Sequence, residues 1–498
     1  MTPPRHSTRR AFLGTASFAA ASLALPRRIL AAEGAPERKL GIALCGLGNY
    51  ATGQLAPALR RTRHCELRGV VTGSVEKGRK WARDFGFPES HVYSYATMSR
   101  LIDNPAIDIV YVVTPNSLHP EHTIAAAWAG KHVICEKPLA NSVSECNAML
   151  AACRANRVKL SVGYRLQFEP HYRELKRLAR GGEFGAFSKL TGGLAFTINR
   201  RVWRVEKAMA GGGPLMDIGI YCIQAACMAA DPTGANHATF APVAVQAREH
   251  PKKRPDFFRD VEEGIDWRME FTGGVTGEFS TSYNAGMDRF RAEAAKGWME
   301  FAPAFQYGDL RVTTSRGAPA IGEIPPSQQA VQIDDFAQCV KEGRESPVPG
   351  EMGRRDMVII EAIYRSAAEN GRRILAILEA EDRIPPEVVE GLKAMGAFGI
   401  KIPVEYGGLG LSQYTYCRAM SLISTVSSPM VALLSAHQSI GVPGPVKMFG
   451  TPEAADSILR LMSFAEGMND VLGQMPPQVK ELGQQLLKQV TGDGGNGK

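Results

Sequence analysis

The sequence contains no Cys-x-x-Cys pair, although it has nine cysteines in 498 residues. Zinc sites and small disulfide frameworks depend on closely spaced cysteines, so both are disfavoured here, and we expect no metal site. Several cysteines, including Cys45, Cys135 and Cys146, fall inside apolar strand or helix patterns. The sequence therefore predicts free thiols that are buried in the fold.

Positive charge is not concentrated on one element beyond the N-terminus, although the formal net charge is +8. Nucleic-acid binding needs clustered lysines and arginines, so we expect no nucleic-acid partner. We attribute the charge to solubility and to some attraction for anionic ligands. A composition that is 44% apolar and 22% charged, at this length, is typical of a soluble protein with two or three domains.

The N-terminal segment, residues 1–32, lacks an apolar run long enough to span a membrane. Residues 14–26 are alanine-rich and only weakly hydrophobic, and they follow Arg9-Arg10-Ala11-Phe12-Leu13. This arrangement is typical of a twin-arginine export signal, so we predict a periplasmic protein without a stable membrane anchor. A chance arginine pair before an apolar run is the alternative. Export of a folded protein would also explain free cysteines in an oxidising compartment.

A glycine-rich turn follows the first predicted strand, residues 40–45. Its sequence is Gly46-Leu47-Gly48-Asn49-Tyr50-Ala51. Gly46 permits the tight turn, Gly48 lets a pyrophosphate approach the backbone, and Ala51 allows the following helix to pack closely on the strand. The helix N-terminus then favours phosphate. Any tight strand-to-helix turn could need these residues, but the position at the start of a βαβ unit favours dinucleotide binding.

The second predicted strand, residues 67–72, ends near Ser74, Glu76 and Lys77. An acidic residue at this strand end binds the ribose hydroxyls of NAD, whereas the 2′-phosphate of NADP requires a cation and a small donor. Ser74 and Lys77 match the second pattern, and Glu76 is explained by the helix dipole. We therefore predict NADP, with NAD less favoured. The alternative is that Lys77 is simply a solvated helix residue.

Two further strands lead to a lysine at the edge of the predicted parallel sheet. Residues 109–113 form an apolar, β-branched run that stops at Thr114-Pro115-Asn116, residues 119–129 are helical in pattern, and residues 132–135 form the next strand. This last strand delivers Glu136, Lys137 and Pro138 to the carboxyl edge of the sheet. Ligands of open α/β sheets bind at that edge, so Lys137 is placed where chemistry would occur.

The pattern changes after residue 164. Residues 187–196, 244–249, 265–271 and 275–283 have strand character without helices of βαβ length between them, and residues 335–342 and 352–370 are helical in pattern. These features predict an α+β domain with an open, mainly antiparallel sheet. The open face is a natural interface for a homo-oligomer. The expected fold is therefore α/β: a Rossmann domain, then an α+β domain, then an appended α-helical segment.

Motifs in both halves of the chain together resemble the Gfo/Idh/MocA family of oxidoreductases over roughly residues 5–374. Each motif is weak alone, but their order across both domains makes the set specific. The motifs are the twin-arginine leader, Gly46-Leu47-Gly48, residues 115–119 (PNSLH), Cys135-Glu136-Lys137-Pro138, Gly163-Tyr164-Arg165, Glu169-Pro170, Trp203-Arg204 and residues 211–221 (GGGPLMDIGIY).

The resemblance implies a catalytic group of Lys137, Asp217 and Tyr221. A pyranose that is oxidised at its anomeric carbon loses a hydride and a proton, and Tyr221 would accept the proton. The ammonium of Lys137 would favour the phenolate and hold the sugar oxygen. Asp217 would orient the sugar hydroxyls or Lys137, because it precedes Tyr221 by four residues on an expected helix. Alternatively, Asp217 is a helix-start carboxylate and Tyr221 a core aromatic.

The resemblance also implies contacts with the cofactor. Residues lining the nicotinamide ribose and the diphosphate would be Thr114, Pro115, Asn116, Leu118 and His119. Glu136 would reach a ribose or the carboxamide. Arg165, Trp203 and Arg204 would close over the cofactor. For His119, a role at the helix start without a ligand is the alternative.

Residues after 374 do not fit this family. Residues 380–463, with FGIKIPVEYGGLG at 398–410 and SAHQSIG at 435–441, resemble the N-terminal helical domain of acyl-CoA dehydrogenases. The flavin-binding β domain, the C-terminal helical bundle and the catalytic glutamate of such enzymes have no counterpart, so that activity is not expected. The predicted order is export signal (1–32), Rossmann NADP-binding domain (38–164), α+β substrate and oligomerisation domain (165–374), helical fragment (375–463) and helical or disordered tail (464–498).

The function that these observations favour is NADP-dependent hydride transfer to or from a glucose-like aldose. Two alternatives stay open at this point. One is a different sugar or deoxysugar dehydrogenase that exchanges its NAD(P) freely, and the other is a non-catalytic sugar- or nucleotide-binding chimera.

Overall fold

The computed structural model describes residues 38–375 and, beyond them, residues 409, 416, 417 and 419. The predicted export signal and nearly all of the predicted helical fragment and tail lie outside the described residues.

The first sheet has six parallel strands in the order β3-β2-β1-β4-β5-β6. Its strands are β1 (Leu40–Cys45), β2 (Cys65–Val71), β3 (Val92–Tyr93), β4 (Ile109–Val112), β5 (His132–Cys135) and β6 (Leu160–Val162). Every residue of β1 and β4 is buried, as expected for parallel strands with helices on both faces. This strand order is that of the doubly wound dinucleotide-binding fold, so the predicted Rossmann fold is confirmed.

Helices connect these strands on both faces of the sheet. They are α1 (Ala56–Leu59), which continues a π-helical turn (Ala51–Leu55), α2 (Val75–Phe85), α3 (His119–Trp128) and α4 (Val143–Ala155). The start of α2 is capped by Ser74, whose side chain accepts a hydrogen bond from the backbone N–H of Lys77 at 3.3 Å. The helix ends at Gly86, which adopts a left-handed conformation.

The register of the sheet decides which residues meet at its carboxyl edge. Cys45 pairs with Val112, and Val112 pairs with Cys135. The residues that follow these three strands therefore emerge side by side. They are Gly46, Val113 and Glu136, each next to a residue predicted to bind a ligand.

The second sheet has seven strands in the order β13-β12-β11-β7-β10-β9-β8. Its strands are β7 (Phe187–Ala195), β8 (Ala244–Glu249), β9 (Gly264–Glu270), β10 (Thr276–Ser282), β11 (Met287–Ala294), β12 (Gly297–Phe301) and β13 (Val312–Thr314). Of the neighbouring pairs, β7 and β10 are parallel and the others are antiparallel. The predicted mainly antiparallel sheet is confirmed, although β11, β12 and β13 were not among the predicted strands.

One face of this sheet is covered by helices and the other carries polar side chains. The helices of this half are α5 (Pro170–Ala179), α6 (Lys207–Ala210), α7 (Ile220–Ala230), α8 (Gln328–Glu342) and α9 (Gly350–Ala368). The segment Lys207–Ala230 is apolar and long enough to span a membrane by composition, but 89% of its most apolar window is buried inside the protein. It is therefore a core element of the described fold.

Helix α8 returns to the first sheet after the second sheet is complete. Ile333 and Phe336 pack with Ile42 and Leu67 in one apolar cluster. Asp334 accepts hydrogen bonds from the backbone N–H groups of Arg63 and His64, at 2.9 to 3.0 Å. Helix α8, which follows the second sheet in the sequence, thus stabilises the start of β2 in the first sheet.

Short helical turns complete the described chain. The 3₁₀ turns are Glu89–His91, Tyr95–Asp103, Asn116–Leu118, Arg165–Phe168, Trp203–Val205 and Thr272–Gly274, and a second π-helical turn spans Leu215–Gly219. All nine cysteines are free thiols, and eight of them are buried, as the sequence predicted.

Candidate functional site

A cavity of about 560 Å³ lies at the carboxyl edge of the first sheet and is closed on its other side by residues of the second half of the chain. Its lining comprises Tyr50, Val113, Thr114, Asn116, His119, Glu136, Lys137, Phe196, Thr197, Ile198, Asn199, Arg200, Val202, Trp203, Arg204, Asp217, Ile218, Tyr221 and Tyr307. Ten of the residues predicted from sequence are in this set. The predicted catalytic group, Lys137, Asp217 and Tyr221, is brought together in it.

Lys137 is placed by strand β5, and the peptide bond between it and Pro138 is cis. Its ammonium donates to the main-chain oxygen of Asp217 at 2.6 Å and to Asp217 Oδ1 at 3.4 Å. The side chain is 12% exposed. An ammonium has three donors, so one remains for a ligand in the cavity.

Asp217 lies in the π-helical turn that precedes α7, and three side chains surround its carboxylate. Oδ2 accepts a hydrogen bond from the hydroxyl of Tyr283 at 2.8 Å and lies 3.2 Å from Nε of Arg204, while Oδ1 faces Lys137. Burial acts to raise the pKa of Asp217, but Lys137 and Arg204 outweigh burial, so the pKa is lowered. The carboxylate is therefore ionised and holds two cations at the cavity wall.

Tyr221 lies in the first turn of α7, and its ring faces two cations. Lys137 Nζ lies 4.9 Å from the ring centroid, and the guanidinium carbon of Arg165 lies 5.1 Å from it. The ring also contacts that of Phe305, with the centroids 6.1 Å apart. The ring is thus held between two cationic side chains and an aromatic neighbour.

The glycine turn is shaped for close approach of a ligand. Gly46 has a φ of +100°, and a Cβ at this position would lie 3.0 Å from Thr114 Cγ2 and from the carbonyl oxygen of Val113. At Gly48 a Cβ would meet nothing within 4 Å, so the backbone there is open. Open backbone at the start of a helix suits the diphosphate of a dinucleotide.

The strand end that was predicted to select NADP lies beside this turn. The ammonium of Lys77 donates a hydrogen bond to the carbonyl oxygen of Leu47. Ser74 caps the same helix. Together with Gly46, Leu47, Gly48 and Asn49, these two residues lie outside the lining of the cavity around Lys137, along the same sheet edge.

The loop after β4 is tied to both halves of the chain. The side-chain amide of Asn116 donates to the carbonyl oxygen of Ala210 at 3.0 Å, and Thr114 Oγ1 lies 3.1 Å from Nδ1 of His122. Asn116 therefore links the loop to helix α6, whereas Pro115 and Leu118 do not line the cavity.

His119 is buried, and both of its ring nitrogens face carbonyl oxygens. Nδ1 lies 2.9 Å from the oxygen of Pro138, and Nε2 lies 2.8 Å from that of Thr114. Burial lowers the pKa of His119 to about 4, and it outweighs the two carbonyls, which favour the charged ring. His119 therefore joins the two loops that carry Thr114 and Lys137, and its ring nitrogens are already occupied.

Glu136 is a buried residue of the cavity lining. It accepts hydrogen bonds from the hydroxyl of Tyr111 at 2.8 Å and from the backbone N–H of Lys137 at 3.3 Å. Burial raises the pKa of Glu136, although Lys137 partly opposes this effect. A Cβ at Gly163 would lie 2.6 Å from Oε1, so the carboxyl occupies the space that this glycine leaves.

Trp203 and Arg204 line the cavity, as the resemblance implied, but Arg165 does not. Arg204 lies over the ring of Trp203 at 4.5 Å and pairs with Asp217. The side chain of Arg165 is instead buried below Tyr221, because carbonyl oxygens from the loop near residue 305 bind its guanidinium there. It therefore cannot close over the cavity in this arrangement.

Several residues of the site were not found from the sequence. Tyr283 holds Asp217, and the irregular segment 196–202 together with Tyr307 forms the outer wall. Phe196 was predicted as the last residue of a strand, which ends at Ala195 in the structure. Residues 197–202 have neither helical nor strand periodicity, so their pattern carried no signal. The adjacent Trp203-Arg204 motif was the nearest available indication.

Comparison with known proteins finds three matching family models. Residues 40–164 match the Oxidoreductase family, NAD-binding Rossmann fold, and residues 172–300 match the GFO/IDH/MocA C-terminal domain. Residues 356–464 match the acyl-CoA dehydrogenase N-terminal domain. This last match begins within the described helix α9.

Individual relatives agree with these matches. A crystal structure of the aldose-aldose oxidoreductase from Caulobacter crescentus is 41% identical, covers 68% of this chain and 100% of its own, and has a TM-score of 0.64. The D-xylose 1-dehydrogenase [NADP(+)] of Haloarcula marismortui is 28% identical over 68% of this chain and 94% of its own length. The probable acyl-CoA dehydrogenase FadE10 of Mycobacterium tuberculosis is 54% identical over 78 residues, which are 16% of this chain and 12% of that protein.

Proposed function

Because this chain belongs to the Gfo/Idh/MocA oxidoreductase family, and is thus an NAD(P)-dependent oxidoreductase acting on the CH–OH groups of sugars, we propose that it oxidises a glucose-like aldose at the anomeric carbon. The observation that supports this proposal most directly is the meeting of Lys137, Asp217 and Tyr221 in one cavity at the carboxyl edge of the first sheet. The acyl-CoA dehydrogenase match covers too little of that enzyme to support a second activity.

The residues around the glycine turn fit a dinucleotide. Gly48 leaves its backbone open, Gly46 makes the turn, and Lys77 places an ammonium beside it. When bound, the nicotinamide supplies the hydride acceptor. We propose NADP rather than NAD because Lys77 and Ser74 suit a 2′-phosphate, and because the similar D-xylose 1-dehydrogenase is named as an NADP(+) enzyme.

The proposed base is Tyr221, which takes the proton of the anomeric hydroxyl as the C–H bond gives up its hydride. Other phenols near the cavity are less suited to this role. Burial raises the pKa of Tyr50, of Tyr283 and of Tyr307. These hydroxyls therefore stay protonated and act as hydrogen-bond donors, as Tyr283 does to Asp217.

Lys137 and Asp217 position the reacting oxygen in this proposal. Asp217 binds the ammonium through two oxygens, so it fixes the direction in which the remaining N–H points. A sugar oxygen bound there lies close to the Tyr221 phenol. The positive charge also stabilises oxygen as it loses its proton.

The outer wall offers a surface for the sugar ring. Phe196, Val202 and Tyr307 are 41%, 39% and 48% exposed, and all three line the cavity. Pyranose rings present C–H groups on their faces, and aromatic rings bind such faces while neighbouring polar groups bind hydroxyls. Thr197 and Asn199 lie between these apolar residues and are suited to the hydroxyls.

The test of this function begins with the nucleotide that the purified protein carries. The protein is first passed through gel filtration, which shows whether a nucleotide stays bound. The protein is then denatured, and mass spectrometry of the released nucleotide should detect NADP. Retention, with reduction on adding glucose and reoxidation on adding a second sugar, would support a reaction like that of glucose–fructose oxidoreductases. Rapid exchange would favour an ordinary sugar dehydrogenase. No nucleotide and no turnover with any aldose would contradict the proposal and favour a binding protein.

Lys137→Ala tests the catalytic group. We expect turnover to fall by roughly 10²- to 10⁴-fold, while nucleotide binding stays within about threefold, because the glycine turn holds the phosphates. Lys189→Ala, an exposed lysine of the second sheet, is the matched control and should be fully active. Loss of the nucleotide in Lys137→Ala with the rate per bound cofactor unchanged would show that Lys137 is not catalytic.

A further inference from the structure

Arg165 carries a buried charge that nothing in its immediate surroundings neutralises. The residue is 2% exposed. Its guanidinium donates to the carbonyl oxygens of Gln306, at 2.8 Å, and Phe305, and to the side-chain oxygen of Gln328. Nε is buried without a hydrogen-bond partner. Among the described residues, no carboxylate lies within ion-pair distance of Arg165.

Such an arrangement is costly, because a buried charge usually requires an opposite charge. The carboxyl of Glu136 interacts with Arg165 electrostatically, but the two residues do not form an ion pair, and burial raises the pKa of Glu136. Neutral carbonyls orient the guanidinium without cancelling its charge. The buried charge is therefore available to a group that becomes negative nearby.

The groups packed against Arg165 are phenols. Its guanidinium carbon lies 4.3 Å from the ring centroid of Tyr307 and 5.1 Å from that of Tyr221. Burial acts to lower the pKa of Arg165, yet the oxygens of Tyr221, Tyr50 and Tyr307 outweigh it and raise the pKa. A guanidinium at these distances attracts negative charge that develops on the neighbouring phenol oxygens.

We propose that Arg165 is a positioning residue that packs under Tyr221 and stabilises its phenolate, so that Tyr221 can accept the anomeric proton near neutral pH. This role rests on the proposed function. Arg165 stays protonated throughout: the anomeric O–H bond of the sugar breaks and its proton joins the Tyr221 phenolate, while a bound nicotinamide would supply the acceptor for the hydride of the anomeric carbon. Lys137 and Arg165 lie over the Tyr221 ring, and Tyr50 and Tyr307 interact with it. The carboxyls of Glu136 and Asp217 line the same cavity.

The test is the pH dependence of kcat/KM in Arg165→Met, which keeps most of the side-chain volume and removes the charge. We expect the acid limb of the profile to move to higher pH by at least about one unit. At pH 7 kcat should fall at least about tenfold, and near pH 10 it should recover to within about threefold of the parent enzyme. Arg165→Lys should restore part of the shift.

A merely structural role would give a different result. Arg165→Met would then lower kcat equally at all pH values, or leave the profile in place, and either outcome would overturn the proposal. If Arg165→Met does not fold, Gln328→Met provides a milder test, since it removes one acceptor that holds the guanidinium. It should move the acid limb in the same direction by a smaller amount, and an unmoved limb counts against the role.

Tyr221→Phe separates this inference from the proposed function. If Tyr221→Phe keeps full turnover, Tyr221 is not the base and the proposed mechanism fails with it. If Tyr221→Phe is inactive while the profile of Arg165→Met is unmoved, only the role of Arg165 is wrong. Nucleotide content, measured by mass spectrometry, should be unchanged in all of these variants.

Discussion

At the scale of single residues, the site depends on burial as much as on charge pairs. His119 is the clearest case, because two carbonyl oxygens favour its charged form while burial favours the neutral one, and burial prevails. The neutral ring joins the loop after β4 to the loop after β5. Charging this ring would place a buried cation in the fold, and the two carbonyl contacts do not offset that cost.

The stability of the protein should consequently fall in weak acid. Histidine ionises near pH 6.5 in an unfolded chain and near 4 at His119 in the folded protein. Between these values the unfolded chain binds a proton that the folded chain does not, so the free energy of unfolding rises with pH across this window. From pH 7 to pH 4.5 His119 should account for a loss of about 2.5 kcal/mol.

Urea unfolding of the parent protein and of His119→Asn, at pH 7 and pH 4.5, measures this contribution. The asparagine keeps a donor for the carbonyls but cannot titrate. Between pH 7 and pH 4.5 the free energy of unfolding of the parent protein should fall by about 2.5 kcal/mol more than that of the variant. Equal losses in both proteins would show that His119 does not control this pH response.

At the scale of elements, the carboxyl end of β2 and the start of α2 decide cofactor choice in our proposal. Ser74 is the N-cap of α2, and Glu76 lies in its first turn, as the sequence predicted. The same turn directs the ammonium of Lys77 to the carbonyl of Leu47. Lys77 is thus more than a solvated helix residue, because its charge lies beside the glycine turn.

Lys77→Asp should change the preference for NADP over NAD, measured as the ratio of the kcat/KM values for the two nucleotides. We expect this ratio to fall by about 10- to 100-fold, since a carboxylate repels a 2′-phosphate and accepts hydrogen bonds from ribose hydroxyls. Lys80→Asp, one turn further along α2, makes the same charge change away from the glycine turn. If both variants give the same ratio, Lys77 does not read the 2′-phosphate.

The conformation of the turn that carries Asp217 does not follow from the local sequence pattern. The sequence predicted a helix after the glycines, with Asp217 and Tyr221 on one side, and both residues line the cavity. The chain forms a π-helical turn over Leu215–Gly219 before α7 begins. That turn is set by contacts from distant strands, because Tyr283 and Trp267 lie against it.

At the scale of the whole molecule, the open face of the second sheet is polar. Exposed side chains on this face include Arg248, Asp266, Arg268, Glu278 and Arg289. Arg268 and Glu278 are neighbours across strands β9 and β10. We propose that copies of the chain associate through this face by matched charges rather than by an apolar patch.

Sedimentation velocity should then show an assembly larger than the monomer, and the assembly should weaken as salt increases, because exposed charges are screened. Glu278→Arg should weaken it further by adding a like charge beside Arg268. Lys80→Glu changes a charge on helix α2, which belongs to the first half of the chain, and should leave the assembly intact. A monomer at all salt concentrations would show that the open face is not an interface.

Export is the remaining proposal for the whole chain. Changing Arg9 and Arg10 to lysine keeps the charge but removes the paired guanidinium groups, so we expect the enzyme to remain in the cytoplasm. Changing Arg27 and Arg28 to lysine is the matched control and should leave export intact. Cell fractionation followed by immunoblotting measures both. Periplasmic protein in the first variant would contradict the twin-arginine route.

The sequence by itself determined the first sheet and the residues at its edge. Buried parallel strands require continuous apolar runs, and a tight turn next to a phosphate requires glycine, so β1, β4, β5 and the turn at Gly46 were recognisable from local pattern. Lys137 followed from these, because the residue after a parallel strand must lie at the carboxyl edge.

Only the tertiary structure decided what faces that edge. Tyr283 reaches Asp217 from 66 residues away, and Arg165 lies below Tyr221 rather than over the cavity. The irregular wall at residues 196–202 and Tyr307 also belongs to the site. These contacts join chain segments that are distant in sequence, and their geometry depends on how the two sheets pack, which no local periodicity encodes.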